Sequence, residues 1–220
     1  MPVQGEKYYK NYGIFFVFLL LLTANILFFY LIKQSSHRGL TFAMLNIGQG
    51  DGIFIQSPTG TQLLIDAGPP KKVLGQLARV MPLFDRHIDG IIITNPDQDH
   101  IGGFQDVLKA YKVDQAFEPG TFNDSKTYQN LKAEIKNKNI KNILARRGTR
   151  LDLGGGAVID ILFPDRDVAD WTSNDGSIVA KLSYGKTSIM LTGDATAQTE
   201  GIILFENNVE TLKSKIIKIG

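Results

Sequence analysis

Three short apolar runs in this chain stop on acids. Leu63-Leu64-Ile65 leads into Asp66. Ile91-Ile92-Ile93 leads through Thr94-Asn95-Pro96 into Asp97, Asp99 and His100. Ile189-Met190-Leu191 leads through Thr192-Gly193 into Asp194. Continuous aliphatic runs bounded by glycine or proline are the pattern of strands buried inside a layered fold. A carboxylate placed directly after such a strand is costly to desolvate unless it is paired, hydrogen-bonded or bound to a cation. A fold that puts these strand ends at one rim gives the acids a common partner, and that requirement constrains the chain more than any other.

The rest of the soluble part fits such a fold. Residues 40–47, 52–56, 62–65, 89–94, 113–117, 142–145, 158–163, 178–184, 187–192 and 215–219 read as strands, with a hairpin turned at Gly185-Lys186. Residues 72–81, 104–111, 125–139 and 196–207 read as helices. Strands and helices in this order predict an α/β class, layered as an αββα sandwich.

Residues 13–32 are different. They carry no charge, and Thr23 and Asn25 are their only clearly polar members. About 20 apolar residues suffice for a helix to cross the hydrocarbon core, and no small-residue cleavage pattern follows. The expected organisation is a tail over 1–12, a transmembrane anchor over 13–32, a linker over 33–39 and one domain over 40–220. Lys7 and Lys10 flank the anchor on one side, Lys33 and Arg38 on the other. That balance leaves a lean toward an extracytoplasmic domain on a single-pass membrane protein.

Composition removes several chemistries. The 220 residues include no cysteine, so disulfides, thiolate nucleophiles and Cys-type zinc sites are out. Residues 1–38 hold four basic residues and one acid, leaving 20 basic and 21 acidic of the 24 and 22. The domain is therefore not a generally basic DNA-coating module. A local track is carried by Lys132, Lys136, Lys138, Lys141, Arg146, Arg147 and Arg150. It suits phosphate neutralisation or, more simply, a solvated face. Trp171 and the polar turn at 173–177 are further surfaces for a base. His37 and His87 read as ordinary surface residues.

The candidate centre is built on the loop Thr94-Asn-Pro-Asp-Gln-Asp-His-Ile-Gly-Gly103. Carboxylates suit hard divalent cations, and imidazole suits zinc, iron or manganese. Helix capping by Asp97 or Asp99 is the plainer reading of this loop taken alone. It leaves Asp66 and Asp194 unexplained.

These segments resemble, in order, those of the metallo-β-lactamase fold in ComEC-type competence proteins. Asn46-Ile-Gly-Gln-Gly-Asp51 is similar to that group's Asp-Val-Gly-Gln-Gly-Asp, and Leu64-Ile-Asp-Ala-Gly68 to its Leu-Ile-Asp-Ala-Gly. Thr94–Gly103 resembles its Thr-His-Pro-His/Asp-x-Asp-His-Ile-Gly-Gly loop. Asn174-Asp-Gly-Ser177, Leu182-Ser-Tyr-Gly185 and Leu191-Thr-Gly-Asp194 resemble later blocks. The resemblance implies one or two divalent ions, Mn²⁺ or Zn²⁺ with Mg²⁺ as a further choice, held by Asp97, Asp99, His100 and Asp194. Asp99 would also be catalytic, touching the attacking water. Asp66 would support the loop, and Asn174 or Asp175 would lie near a third ligand segment. It further implies a phosphodiesterase acting on DNA during uptake. Two departures stand out. Asn95 occupies the place of the family's first histidine, and the chain reaches Gly220 without the His-His-Gly-Ser segment that follows such a strand in the family. The expectation is a sandwich incomplete at its C-terminal end.

Overall fold

The structure, a computed structural model, describes the backbone of residues 5–34, the side chains of 12–30, and all of residues 39–220. Two compact units result, Met1–Arg38 and Gly39–Gly220.

The first unit is one helix, α1 (Gly5–Gln34). Its stretch Tyr12–Tyr30 is long and apolar enough to cross a membrane, and its side chains are exposed. The two polar side chains in that stretch turn back on the helix itself. Thr23 Oγ1 donates to the Leu20 carbonyl at 3.0 Å, and Asn25 Nδ2 to the Leu21 carbonyl at 2.9 Å. Each side chain thereby satisfies a donor within the helix, as an apolar medium requires. His37 lies outside the described residues.

In the second unit, β1 (Thr41–Met44), β2 (Ile53–Gln56), β3 (Gln62–Ile65), β4 (His87–Ile92), β5 (Lys112–Glu118) and β6 (Lys141–Leu144) form one sheet in that spatial order. The first three are antiparallel, and β3 to β6 run parallel. The helices α2 (Val73–Val80), α4 (Phe104–Ala110) and α5 (Lys126–Asn137) alternate with the parallel strands, and the single turn α3 (Gln98–Ile101) precedes α4. A second sheet has the order β11-β10-β9-β8-β7. Its members are β7 (Arg150–Gly154), β8 (Ala157–Phe163), β9 (Val179–Tyr184), β10 (Thr187–Leu191) and β11 (Ile216–Lys218), joined with α6 (Ala197–Glu206) and α7 (Val209–Leu212).

Strand alternation builds the layers. Ile53 and Ile55 point between the sheets, where Leu63, Ile65 and Ile92 meet Ile159, Ile161, Leu182 and Leu191. Phe54 and Leu64 point the other way, onto Leu77, Val107, Leu131 and Ile135 of α2, α4 and α5. A third cluster, including Phe163, Met190 and Ile203, covers the far side of the second sheet. Trp171 packs there against Phe163 with ring centroids 5.9 Å apart, so its ring is part of the packing. The result is the αββα sandwich.

Parallel strands fix where function sits. The C-terminal ends of β3 and β4 reach one rim, and loops from the second sheet reach the same rim through the backbone bond Ile178 N–H to the Thr94 carbonyl, 2.9 Å. Open parallel sheets bind ligands at such strand ends.

Candidate metal centre

Asp66 is the pivot. It follows β3 directly, has a left-handed backbone (φ 54°) and is fully buried. Its Oδ1 accepts the Thr94 amide at 2.8 Å. Its Oδ2 accepts the Thr94 hydroxyl and lies 2.9 Å from His100 Nδ1. The Ala67 amide donates to the His100 carbonyl, and the Gly103 amide to the Gly68 carbonyl, both at 2.8 Å. The loops after β3 and β4 are thus stitched into one ledge. A Cβ on Gly103 would overlap the Ala67 carbonyl, which is why a glycine stands where the two loops touch.

The ledge aims His100. With Nδ1 donating to Asp66, the ring presents Nε2 to the site. Nε2 is buried and has no hydrogen bond among the described residues. It lies 3.1 Å from Asp194 Oδ2, with the carboxylate out of line for an N–H bond. Burial disfavours charge on the ring, but the hydrogen bond and charge of Asp66, then Asp194, carry its pKa up to about 9.

Two residues complete the centre. Ligand atoms of Asp51, Asp66 and His100 all lie within 4.8 Å of one another. Asp51 is in turn ion-paired with Lys218, which is 8% exposed and sits in β11. The Lys218 carbonyl accepts from the Thr192 amide at 3.2 Å and hydroxyl at 3.0 Å, two residues before Asp194. Lys218 therefore ties the glycine turn of the first sheet to the Asp194 loop of the second. Reading the sequence assigned no role to Asp51 or Lys218. The available signals are Asp51 closing the Asn46–Asp51 motif and a lysine inside the apolar run Ile216-Ile217-Lys218-Ile219.

The other expected residues spread around this core. Among the described residues, Asp97, Asp99 and Asp194 fall outside any group of three ligand atoms within 4.8 Å, although Asp194 approaches His100 Nε2 at 3.1 Å. Asp97 takes the N-cap position of α3, yet its side chain makes no capping bond; Oδ1 accepts Asn123 Nδ2 at 3.3 Å. The Asp99 carboxylate has no hydrogen bond or ion pair among the described residues, and its backbone lies against Gly50 so closely that a Cβ there would overlap its carbonyl. Asn95 is fully buried. Its Oδ1 accepts the Asp97 amide at 2.9 Å, and Nδ2 reaches Ser177 Oγ at 3.4 Å. Asn174 is exposed. Asp175 is not brought to His100. It accepts from Thr172 and Thr196, each at 2.6 Å, and these two bonds in that order lower its pKa.

The basic track is only partly free. Lys136, Lys138 and Lys141 are exposed, whereas Arg146 donates to the Pro119 and Ala145 carbonyls and Arg147 to Glu206. His87 begins β4 and lies 2.7 Å from Asp114.

Residues 45–214 match the metallo-beta-lactamase superfamily. The chain belongs to this superfamily. It is 26% identical over 195 residues to ComE operon protein 3 of Bacillus subtilis (strain 168), covering 80% of this chain and 24% of that protein. It is 29% identical over 189 residues to Recombination protein 2 of Haemophilus influenzae (strain ATCC 51907 / DSM 11121 / KW20 / Rd), covering 84% of this chain and 21% of that one. The chain thus spans about a quarter or less of the length of these ComEC-type relatives. Among solved structures, Rm3 metallo-beta-lactamase superposes with a TM-score of 0.54 at 12% identity, covering 83% of this chain and 76% of that one, which shows the shared fold.

Divalent metals are usual in the metallo-beta-lactamase superfamily, and the residues present fit one. Among the described residues, ligand atoms of Asp51, Asp66 and His100 lie together, Asp194 Oδ2 is 3.1 Å from His100 Nε2, and Lys218 is paired with Asp51. The acids exceed the bases, and one buried imidazole nitrogen has no hydrogen-bonding partner. Oxygen ligands with a single imidazole are a donor set for a hard or borderline divalent cation.

Proposed function

We propose that this domain is a metal-dependent hydrolase of the phosphodiester class, acting on DNA during uptake and anchored in a membrane by α1. The observation that carries the reading is the buried Nε2 of His100, aimed by the Asp66 contact at Nδ1 and set 3.1 Å from Asp194 Oδ2. An imidazole held at Nδ1 by a carboxylate and free at Nε2 is oriented as a ligand. His100 and Asp194 would hold the cation, with Asp97 and Asp99 on the adjoining loop. The oxygen-rich set favours Mn²⁺ over Zn²⁺. When bound, such an ion lowers the pKa of water and stabilises charge on a phosphoryl oxygen.

The chain's own residues supply the rest. Asp66 fixes the His100 tautomer. Asp99, with its carboxylate otherwise unengaged, accepts the proton of the attacking water. Likeness to ComE operon protein 3 and Recombination protein 2 supports DNA as the substrate class. The length and uncharged character of Tyr12–Tyr30 support the anchor. The test is cleavage of single-stranded DNA by the full chain with Mn²⁺, beside Asp99→Ala. The expected result is metal-dependent cutting that the variant loses. Equal rates from the two proteins would refute it.

Asn95 favours a second reading, a catalytically silent membrane-tethered module, because its amide oxygen is already spent on the Asp97 amide. Metal content separates the two: less than one ion per chain after growth in Mn²⁺ and Zn²⁺ supports the silent module.

A further inference from the structure

The end of the sandwich opposite the metal centre carries a second surface. The parallel strands begin there, at His87, Lys112 and Lys141, and α2, α4 and α5 end there. The register of β1 places its first residue at the same end, since Thr41 pairs with Gln56 and Met44 with Ile53. The chain therefore enters the domain at this end, a few residues after α1.

Between α2 and β4 the chain makes a tight turn, with the Asp85 amide donating to the Pro82 carbonyl at 3.0 Å. Its two corner residues are Leu83 and Phe84, which are 75% and 89% exposed. The turn is pinned rather than loose. Asp85 Oδ2 accepts Gln62 Nε2 at 2.7 Å, and Oδ1 accepts the His87 amide at 3.0 Å. Two large apolar side chains are thus held out in water by a turn whose other bonds are satisfied.

The same end of the domain carries cations. Arg79, Arg86, Lys109, Lys112 and Lys138 are exposed at this end, and Arg86 lies over the Tyr111 ring at 5.6 Å. Of the acids there, Asp152 is exposed, with its Oδ1 accepting the Gly154 amide at 2.8 Å, and Asp85, Asp89 and Asp114 are half-buried and engaged. Asp85 is bonded as above, Asp89 accepts the Gln62 amide, and Asp114 is paired with His87 and Lys112. Basic residues in the last turn answer a helix dipole, which accounts for Arg79 and Lys109. It does not account for an aromatic and an aliphatic side chain side by side at a corner. Single exposed apolar residues are ordinary, but an apolar tip on an end that carries exposed cations is complementary to an anionic bilayer, with its apolar interior and charged surface.

We propose that the Leu83-Phe84 turn docks into the anionic bilayer that holds α1, so that the metal centre at the opposite rim faces away from the membrane. The inference rests on anchorage by α1. The turn supplies the buried side chains, and the exposed cations of this end meet the lipid phosphates.

The chain has no cysteine, so a single label can be placed anywhere. The full chain is reconstituted in phosphatidylcholine–phosphatidylglycerol vesicles with an environment-sensitive dye on L83C, and separately on L20C, F122C and F205C. Positions 122 and 205 are exposed apolar sites on other parts of the domain. The expected result is a blue-shifted L83C label, quenched by spin-labelled lipid and shielded from iodide, with F122C and F205C open to iodide. Adding F84S to L83C is expected to reverse the shift. An L83C label as open to iodide as F122C, with L20C in lipid, overturns the docking alone. Lipid contact at F205C instead of L83C also overturns it. An L20C label open to iodide refutes the anchorage, and the docking with it.

Discussion

Replacing Lys218 by methionine removes the cation paired with Asp51 while keeping the apolar stem of the side chain. Both partners are largely out of water, with side-chain exposures of 7% for Lys218 and 16% for Asp51. Asp51 would then stand unpaired within ligand distance of Asp66 and His100. Breaking a buried pair by removing one partner costs about 3–5 kcal/mol, and the residual exposure of Asp51 points to about 3. For a domain of this size class each kcal/mol moves Tm by about 2–4 °C, so the metal-free variant should melt about 6–12 °C lower. Lys218→Met with Asp51→Asn removes both charges and should recover most of that loss. A divalent cation supplies positive charge to the same carboxylates, so the deficit should also shrink when Mn²⁺ is added. Thermal melts of the three proteins, with and without Mn²⁺, measure all of this. A Lys218→Met melt within about 2 °C of the parent, well below the loss just worked out, would show that the pair does not hold the two sheets' loops together.

Two further outcomes follow from the same centre. The His100 ring has a folded pKa of about 9 against an ordinary 6.5, so its contribution is complete below 6.5 and is lost as pH rises through 9; metal-free protein should lose about 3 kcal/mol across that window, read from denaturant melts at pH 6 and 9.5. Flat stability there would contradict the Asp66–His100 pairing. Gly50→Ala combines a left-handed backbone (φ 86°) with overlap onto the Asp99 carbonyl, so it should cost more than about 2 kcal/mol and weaken Mn²⁺ binding, whereas Gly60→Ala (φ 97°), with open space around it, should cost only the backbone strain.

The sequence made the layered fold legible because its central strands are buried on both sides. Residues 62–65 and the run ending at Ile92 admit little else. The strand Arg150–Gly154 was passed over because it lies at a sheet edge, where every other residue faces water and a basic run obscures the alternation. The turn Gln98–Ile101 was too short to show a helical period. Asp66, His100 and Asp194 drew attention because an acid after a buried strand needs an explanation. Asp51 and Lys218 did not, because their pairing joins residues 167 apart and no local pattern encodes it. Arg146 and Arg147 show the same limit. In sequence they belong to a basic run, and in the fold they are held by the Pro119 carbonyl and Glu206.

The account turns on a divalent cation meeting the free nitrogen of His100. Electron spin-echo spectroscopy of the protein loaded with Mn²⁺ reads that contact directly. The predicted result is a nitrogen-14 modulation from one imidazole, lost in His100→Gln and kept in His87→Gln. Stoichiometric Mn²⁺ with no imidazole modulation, or a modulation that survives His100→Gln, would contradict it.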